Sequence, residues 1–391
     1  MYDKDLDFSY GPFLPILGSG LVTANGAHWQ KQRLLMAPAL RIDMLDDILP
    51  IARRAADRLA EKLEKIRGKQ VAIDIEEEFR LLTLQVIGEA ILSLEPEECD
   101  KVFPALYLPV MEESNKRVLA PWRYLYPVEA IKYNSRVHKL NTFIKSIIRK
   151  RREERSKVDN PSQNDVLDKI LASVEKEGIT WDSRAETQLC YEIKTFLLAG
   201  HETSAAMLTW TVYELGTNTK ALNTIRKEAK SARVNENDVP SRQAIEKMEW
   251  TLSCLKESLR KYSVVPVVTR NMNAQDEVCG YTLPKGSWII CHLQRVHHLY
   301  KDPLEWKPDR FMPGGEYDQF DDDIRPYMFV PFIQGPRNCL GQYFALIEAR
   351  VVLGSLCEKF TFQVVDPRAQ GVTHPTVIPI GPVHGMEVYV N

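Results

Sequence analysis

One short stretch near the C-terminus combines five residues whose types and spacing suit the binding of an iron porphyrin. They fit the pattern F-x-x-G-x-R-x-C-x-G and are Phe332, Gly335, Arg337, Cys339 and Gly341. Cys339 is a candidate thiolate ligand, and Gly341 with the start of a following helix would direct backbone N–H groups at its sulfur, which favours thiolate over thiol. Gly335 would let the backbone approach a flat cofactor, and Arg337 would offer a donor fork to a propionate. Phe332 would shield the sulfur and so tune the iron.

A single cysteine is more often a small buried hydrophobe than a ligand, so the haem interpretation depends on all five positions together. Together they resemble the haem-binding loop of the cytochrome P-450 monooxygenases. The resemblance implies that Cys339 is the axial ligand of the iron of haem b, iron protoporphyrin IX. It also implies that the other four residues of the motif contact the cofactor.

A second motif stands at the centre of a long apolar helix predicted over residues 182–215. It includes Gly200, Glu202 and Thr203, and both a glycine and a threonine are unfavourable inside a helix, a violation that often marks function. A zinc helix of the type H-E-x-x-H is excluded because position 205 is Ala205. The motif resembles the oxygen-activating motif of the same family. That resemblance implies that Gly200 leaves room for dioxygen, that Thr203 donates a hydrogen bond to it, and that Glu202 is the acid of a proton relay.

Two further patterns agree with the same family. Trp29 and Arg33 are four residues apart, so they share one face of a helix predicted to start at Gly26. Without the resemblance they would be an aromatic–cation pair on a surface. The family has W-x-x-x-R in this place as a clamp on a haem propionate, and it implies that Arg270, on an extended segment, reaches a propionate as well.

A charged cluster is implied by E-x-x-R and P-x-R-F, which occur here with Glu257, Arg260 and Arg310. Alone, Glu257 and Arg260 would be an ordinary surface pair at helical spacing. The family places all three side chains together beneath the haem. We expect a structural role rather than a catalytic one, because a buried glutamate between two arginines is costly to leave with a partner missing.

The fold class follows from these resemblances and from the periodicity of the apolar residues. The sequence predicts a mainly α protein with a small β region, and the family implies a helical prism that encloses the haem between the long helix and the cysteine stretch. The helices are expected over residues 42–68, 72–94, 131–154, 182–215 and 219–262, with proline breaks at residues 101–160, a strand over 263–270, a turn over 279–286 and a strand over 288–292. His292, His297 and His298 do not suit metal ligation, and a helix-end or loop role is predicted.

Bulk composition excludes several classes of protein. The chain has 391 residues, is 44% hydrophobic and 27% charged, and carries a net charge of -2, so neither nucleic acid nor an anionic membrane would attract it as a whole. Its seven cysteines are scattered without a C-x-x-C pair, which argues against a disulfide scaffold or zinc finger and suits an intracellular compartment.

No apolar run reaches the ~18–20 residues that a membrane helix needs, and the first residues are polar rather than those of a signal peptide. We therefore expect no membrane span, although peripheral contact with a membrane is open. Eukaryotic members of the family usually begin with an anchor, a hinge and a small sheet. We expect residues 1–391 to be one haem domain without those N-terminal parts, whose full-length relatives lie at the endoplasmic reticulum or plastid membrane.

The activity that the resemblance implies is monooxygenation, in which one atom of dioxygen enters an organic substrate. No flavin or nicotinamide fingerprint is present, so the electrons would come from NADPH through a separate reductase or ferredoxin. The expected cavity segments are apolar, which favours a lipid, terpenoid or carotenoid substrate, and the motif around Thr203 looks like that of plant or algal members. The expected cavity residues are Phe196, Leu197, Val264, Val265, Val267 and Ile378.

Two other functions remain open from the sequence. A haem-thiolate enzyme that isomerises or dehydrates a peroxide would use the same cysteine, but such relatives usually lack the pair formed by Glu202 and Thr203. A non-catalytic haem-binding fragment is the second alternative, because missing N-terminal strands would leave sheet edges open. Haem affinity and thiolate ligation distinguish this last alternative from an enzyme.

Overall fold

The long central helix of the sequence forms as one uninterrupted element. In a computed structural model, which describes residues 2–6, 9–41, 46–157, 165–233, 238–373 and 379–391, it spans the 33 residues Ser183–Leu215. Asp182 caps its start, because its carboxylate accepts the N–H groups of Arg184 at 2.9 Å and of Ala185 at 2.8 Å. The predicted helix over 182–215 is therefore confirmed, and it continues through Gly200 and Thr203 without a break.

Helices make up most of the described chain, and the strands are short. The α-helices α1 to α16 are, in chain order, Leu14–Leu17, Gly26–Met36, Ile48–Glu64, Ile75–Leu92, Pro96–Val102, Leu108–Leu119, Pro127–Lys157, Val166–Lys176, Ser183–Leu215, Thr219–Ser231, Arg242–Glu246, Glu249–Tyr262, Leu293–His297, Arg325–Met328, Gln342–Lys359 and Pro367–Gln370. The strands β1 to β8 are Tyr2–Asp3, Ile73–Asp74, Val267–Met272, Asp276–Val278, Tyr281–Leu283, Trp288–His292, Phe362–Val364 and Glu387–Val390. The predicted fold class, mainly α with a small β region, is confirmed.

The region 101–160 is more regular than the sequence suggested. Two of its prolines lie where a helical element begins, so that a missing N–H has no partner to lose. Pro121 begins a short 3₁₀-helix and Pro127 begins α7. Pro104 and Pro109 instead lie inside the continuous helical run that α5, a π-helical segment over Phe103–Tyr107 and α6 form together. The chain therefore passes through these two prolines with a local change to π-helical geometry rather than a break.

The strands form three small sheets. One sheet has the order β1-β3-β6, another has the order β2-β8-β7, and β4 pairs with β5 as an antiparallel hairpin. Cys279 and Gly280 connect β4 to β5 with φ values of 51° and 80°, the positive angles that a two-residue hairpin turn requires. The turn therefore lies at the start of the predicted range 279–286, and the predicted strand 288–292 is β6.

The chain divides into two compact units, each assembled from three separate segments. The first consists of Met1–Arg41, Ile87–Ala199 and Val268–Cys291, and the second of Ile42–Val86, Gly200–Val267 and His292–Asn391. In the first unit α6 packs against α7, where the Arg117 guanidinium lies 4.0 Å from the ring centre of the buried Tyr133. In the second, α15 packs against α3, α10 and α12, and it is buried on most of its surface.

The core of the second unit brings helices very close together. The face of α3 that meets α15 is rich in alanine, which allows a short separation between the two helix axes. On α15, a Cβ at Gly354 would come within 3.0 Å of the end of the Met248 side chain and 3.4 Å of Ala229, so a larger residue there would require Met248 to shift. Among the described residues, no helix combines the length and the apolar character needed to span a membrane.

Candidate active site

The cysteine stretch, residues 331–341, forms a closed loop immediately before α15, and we call it the Cys loop. The Cys339 N–H donates a hydrogen bond of 2.9 Å to the Phe332 carbonyl, which sets the cysteine opposite the aromatic residue. The Cys339 side chain is exposed and forms no disulfide. A Cβ at Gly341 would lie 4.0 Å from the Cys339 sulfur, so the start of α15 lies near the sulfur, and donation of its N–H groups to the sulfur remains a prediction.

Three residues of the Cys loop suit a flat, anionic, iron-containing cofactor. Gly335 has φ +81°, a conformation that favours glycine, and a side chain added there would meet no atom within 4 Å. The Gly335 backbone therefore faces open space in which a planar group fits. Arg337, half-buried in the same loop, supplies a cation of the type that binds carboxylates, and Cys339 supplies a soft ligand for iron. This set of donors fits haem.

One residue of the Cys loop holds an unfavourable backbone conformation. Ile333 has φ +63°, which is rare for a β-branched residue and costs on the order of 1–3 kcal/mol. Its N–H donates to the Val330 carbonyl at 3.0 Å. Such a conformation persists only where the surrounding contacts enforce it, so the bonds at the start of the loop determine the shape of the loop.

The centre of α9 presents different residues to different surroundings. Gly200 and Thr203 are half-buried, whereas the intervening His201 and Glu202 are buried. The glycine and the hydroxyl thus lie on the more open face and the carboxylate on the buried face, and their roles towards dioxygen remain a prediction. The structure places all of these residues, and the Cys loop, in the second unit.

An arginine that the sequence analysis did not identify holds the acid of this motif. Arg80 on α4 approaches the Glu202 carboxylate with an N–O distance of 3.2 Å, and its side chain is 39% exposed while that of Glu202 is 5% exposed. A second hydrogen bond connects α4 to α9, since the Thr83 hydroxyl donates to the His201 carbonyl at 2.9 Å. The buried acid is thus paired with a cation that reaches solvent.

A second carboxyl group borders Arg80. Burial raises the pKa of Glu76 to about 7, the Arg80 charge opposes this rise, and the negative charges of Asp74, Glu77 and Glu202 add to it. The side chain is half-buried, and a Cβ at position 381 would lie 2.4 Å from a Glu76 oxygen. Near neutral pH, Glu76 therefore exchanges its proton readily within the group of charges around Glu202.

The helix after the Cys loop carries a fully buried acid beside α9. Burial raises the pKa of Glu348 well above its usual value, and the nearby Ser204 hydroxyl on α9 opposes this effect. No hydrogen bond of full geometry reaches either Glu348 carboxyl oxygen among the described residues. Burial thus favours the neutral form of this carboxyl, which lies beside Ser204, the residue that follows Thr203.

The three residues expected to form a structural cluster do come together. Glu257 is fully buried, and its carboxylate accepts two hydrogen bonds, of 2.7 Å and 2.8 Å, from the Arg260 guanidinium. Arg310, on a 3₁₀-helix over Pro308–Phe311, donates to the same carboxylate at 3.2 Å, and the Lys307 N–H adds a bond of 2.8 Å. The Glu257 carboxylate therefore accepts four hydrogen bonds from three residues.

Three of the expected haem contacts lie in the first unit. Trp29 and Arg33 are half-buried on α2, as predicted for a helix that begins at Gly26. Arg270 is half-buried on β3, and it donates to the Thr269 carbonyl at 2.8 Å. The structure therefore places each of them on the type of element that the sequence predicted, and their contacts with haem remain a prediction.

The expected cavity segments can be located only in part. Phe196 and Leu197 are buried on α9 and Val264 is buried before β3, while Val265 and Val267 are half-buried. Ile378 lies outside the described residues. Its neighbour Ile380 donates its N–H to the Val264 carbonyl at 2.8 Å, which joins the two segments in the second unit.

Comparison with known proteins decides the family. The family model described as "Cytochrome P450" matches residues 7–380. The chain belongs to the cytochrome P450 family. Mouse (Mus musculus) cytochrome P450 4V2 is 28% identical over 379 residues, which cover 91% of this chain and 70% of that protein. The chloroplastic protein LUTEIN DEFICIENT 5 of Arabidopsis thaliana is also 28% identical, over 96% of this chain and 64% of its own length.

Solved structures agree on the fold. The crystal structure of the cytochrome P450DA heme domain matches with a TM-score of 0.82 and 21% identity, covering 100% of this chain and 82% of that one. The cytochrome P450 fold predicted from the motifs is confirmed. Membership of the family makes this P450 a haem-thiolate monooxygenase, with haem b as cofactor and electrons supplied by a separate redox partner.

Proposed function

We propose that this P450 inserts one oxygen atom into a hydrophobic substrate of the lipid, terpenoid or carotenoid class, with Cys339 as axial ligand and Thr203 and Glu202 as the proton-handling pair. The observation that carries the proposal is the pairing of the buried Glu202 with Arg80 directly beside the half-buried Thr203. A peroxide isomerase needs no such route for protons, whereas reduction of dioxygen needs two protons delivered to one site.

When bound, haem supplies the binding and activation of dioxygen, with a thiolate donating electron density to the iron. Cys339 would hold the iron, and Phe332 would exclude water from the sulfur. Arg337, together with Trp29, Arg33 and Arg270, would bind the propionates. These residues would fix the orientation of the cofactor, and Gly335 and Gly341 would let the backbone lie close to it.

The residues at the centre of α9 would move protons. Thr203 would hold a proton on its hydroxyl and donate it, and Gly200 beside it would leave space for a small ligand. Glu202 would leave the guanidinium of Arg80, take up a proton that comes from solvent and pass it to the Thr203 hydroxyl, which would return the Glu202 carboxylate to Arg80. The route to solvent would pass the exposed part of Arg80 and the neighbouring Glu76, which titrates near neutral pH with a pKa of about 7.

A hydrophobic substrate is supported by the apolar side chains around the expected cavity. Phe196, Leu197 and Val264 offer no polar group to bind a charged substrate, and burial of apolar surface would supply the affinity. The name of the plant relative refers to lutein, a carotenoid, which supports the carotenoid member of the proposed class. Low-spin to high-spin optical shifts on addition of dodecanoic acid, a sesquiterpene alcohol or β-carotene would rank the three classes.

We further propose peripheral contact with a membrane, because an exposed apolar surface surrounds the connection between α6 and α7. Leu125 is 80% exposed, Ile131 is 69% exposed and Trp122 is 57% exposed. Isolated exposed apolar residues are ordinary, but a cluster of this size marks an interaction surface. The variant Trp122→Ser/Leu125→Ser should reduce co-sedimentation with phosphatidylcholine vesicles, and unchanged sedimentation would contradict the contact.

The test of the oxygenase function begins with the haem-loaded chain, reduced and exposed to carbon monoxide. A strongly red-shifted Soret band would support Cys339 ligation, and Cys339→Ser should abolish that band while other exposed cysteines such as Cys291 can be replaced without effect. Thr203→Ala should keep the band but divert NADPH electrons to peroxide, since the bound oxygen loses its proton donor. An unchanged yield of product per electron in Thr203→Ala would contradict the relay.

A further inference from the structure

A buried histidine connects the Cys loop to the charged cluster of the second unit. His297 ends α13, as a helix-end role predicted, and its side chain is fully buried. The Val330 N–H donates to His297 Nε2 at 3.1 Å, and His297 Nδ1 lies 2.8 Å from the Ser263 hydroxyl. Because a backbone N–H can only donate, Nε2 is the acceptor and the proton lies on Nδ1, which donates to Ser263.

The ring keeps this form over the physiological pH range. Burial lowers the pKa of His297 to about 3, and the positive charges of Arg260 and His298 act in the same direction. The neutral imidazole therefore always presents an acceptor to Val330. The Ser263 hydroxyl continues this chain of hydrogen bonds, since it donates to the Arg260 carbonyl at 3.1 Å.

On one side His297 is attached to rigid structure. The Arg260 guanidinium donates to the His297 carbonyl at 3.0 Å, and Arg260 itself is fixed by the buried Glu257. The imidazole also packs against the Phe329 ring with centres 5.7 Å apart. The histidine is thus held from its backbone, both ring nitrogens and one face.

On the other side His297 reaches the Cys loop through Val330. The Val330 carbonyl accepts the N–H of Ile333, the residue with the unfavourable backbone angle of φ +63°. The Phe332 carbonyl, between them, accepts the Cys339 N–H. A strained backbone conformation persists only where its neighbours are held in place. The bond from the Val330 N–H to His297 holds Val330, whose carbonyl accepts the N–H of the strained Ile333.

We propose that His297 is a positioning residue for Cys339, which holds the start of the Cys loop through the bond from Val330 to Nε2 and so presents the thiolate to the haem iron. The proposal rests on Cys339 being the ligand of the haem iron. It goes beyond that function because it assigns a specific atom, Nε2 of a buried residue outside the Cys loop, to the maintenance of thiolate ligation.

The experiment separates the two ring nitrogens. In His297→Gln the side-chain amide reaches the position of Nε2 and can accept from Val330, whereas in His297→Asn it reaches only the position of Nδ1 and can bond Ser263. The readout is the ratio of thiolate-type to non-thiolate Soret bands in the reduced carbon monoxide complex of the haem-loaded chain. We expect His297→Gln to keep the ratio and His297→Asn to lower it about tenfold, because a buried backbone donor loses its acceptor.

Two further variants act as controls. His298→Asn changes the adjacent, half-buried histidine and should leave the ratio unchanged. Ser263→Ala removes the contact with Nδ1 and the bond to the Arg260 carbonyl but leaves the bond from Val330 to Nε2, so it should lower the urea midpoint without changing the ratio. Equal loss in His297→Gln and His297→Asn, or an unchanged ratio in His297→Asn, would overturn the proposal. Absence of the thiolate band from the unaltered chain would instead refute the function proposed for Cys339, so the two failures are distinct.

Discussion

Replacing Arg310 by methionine should destabilise the folded protein more than any surface charge change of similar size. Arg310 is only 4% exposed, and besides Glu257 it contacts the Asp302 carbonyl at 2.9 Å and the Glu316 carboxylate. Two arginines and two glutamates balance in this cluster. Methionine fills the volume of the arginine stem but leaves one negative charge in excess, partly on a fully buried carboxylate.

The magnitude follows from that unpaired charge. Breaking a buried ion pair by removing one partner costs about 3–5 kcal/mol. Glu257 keeps Arg260 and the Lys307 N–H, so the lower end of this range, about 3 kcal/mol, applies. At about 1.4 kcal/mol for each factor of ten, the ratio of folded to unfolded protein should fall by roughly a hundred. A loss of about 3 kcal/mol is a large part of the ~5–15 kcal/mol that stabilises a typical domain.

The assay is urea unfolding of the haem-loaded protein, followed by far-ultraviolet circular dichroism and by the Soret band. Lys307→Met is the matched control, because Lys307 lies in the same segment with an exposed ion pair to Asp302, and its midpoint should not move. Adding Glu316→Gln to Arg310→Met should recover part of the loss, because it removes the negative charge that lost its partner and leaves the pair of Glu257 and Arg260 intact. A midpoint for Arg310→Met equal to that of Lys307→Met, or a further loss on adding Glu316→Gln, would refute the reasoning.

Three more predictions concern groups near the site. Glu348→Gln should be more stable than the unaltered chain at pH 8 but not at pH 4. Burial raises the pKa of Glu348, so the stability of the unaltered chain falls as the pH rises above the ordinary carboxyl pKa. Urea midpoints across pH test this, and a lower midpoint for Glu348→Gln than for the unaltered chain at pH 8 would contradict it. Arg80→Gln removes the charge that lowers the pKa of Glu76, so that pKa should move above about 7 in a ¹³C-carboxyl NMR titration, and a fall would show that Arg80 does not act on Glu76. Gly335→Ala should reduce haem incorporation per chain, since a Cβ disfavours φ +81° by about 1–2 kcal/mol; full incorporation would mean that the turn adapts.

Local sequence was sufficient for the elements that carry the motifs. Asp182, a residue type that caps helices, marks where α9 begins, and a helix was expected directly after Gly341, where α15 lies. The motifs and their order along the chain were sufficient to predict the fold, because several short patterns that occur together identify a family. In the region 101–160, local propensity misled, since a proline that starts a helix and a proline that ends one look the same without the neighbouring turns.

Contacts between distant residues were not predictable in the same way. Arg80 and Glu202 are 122 positions apart, and an arginine on an amphipathic helix ordinarily faces solvent. The burial of Glu348 has no signal in its neighbourhood, since a glutamate on a helix is usually exposed. His297 could be assigned to a helix end, but its partner Val330 lies on a segment whose position depends on the whole second unit.

The assembly of each unit from three separate segments has a consequence for biosynthesis. The strand β8 at the C-terminus pairs with β2, where Val388 is opposite Ile73, and α15 packs against α3. A ribosome therefore releases α3 and β2 long before their partners exist, and loop closure over such distances is slow. The alanine-rich face of α3 remains exposed meanwhile, so we expect the nascent chain to depend on chaperones until its last segment emerges.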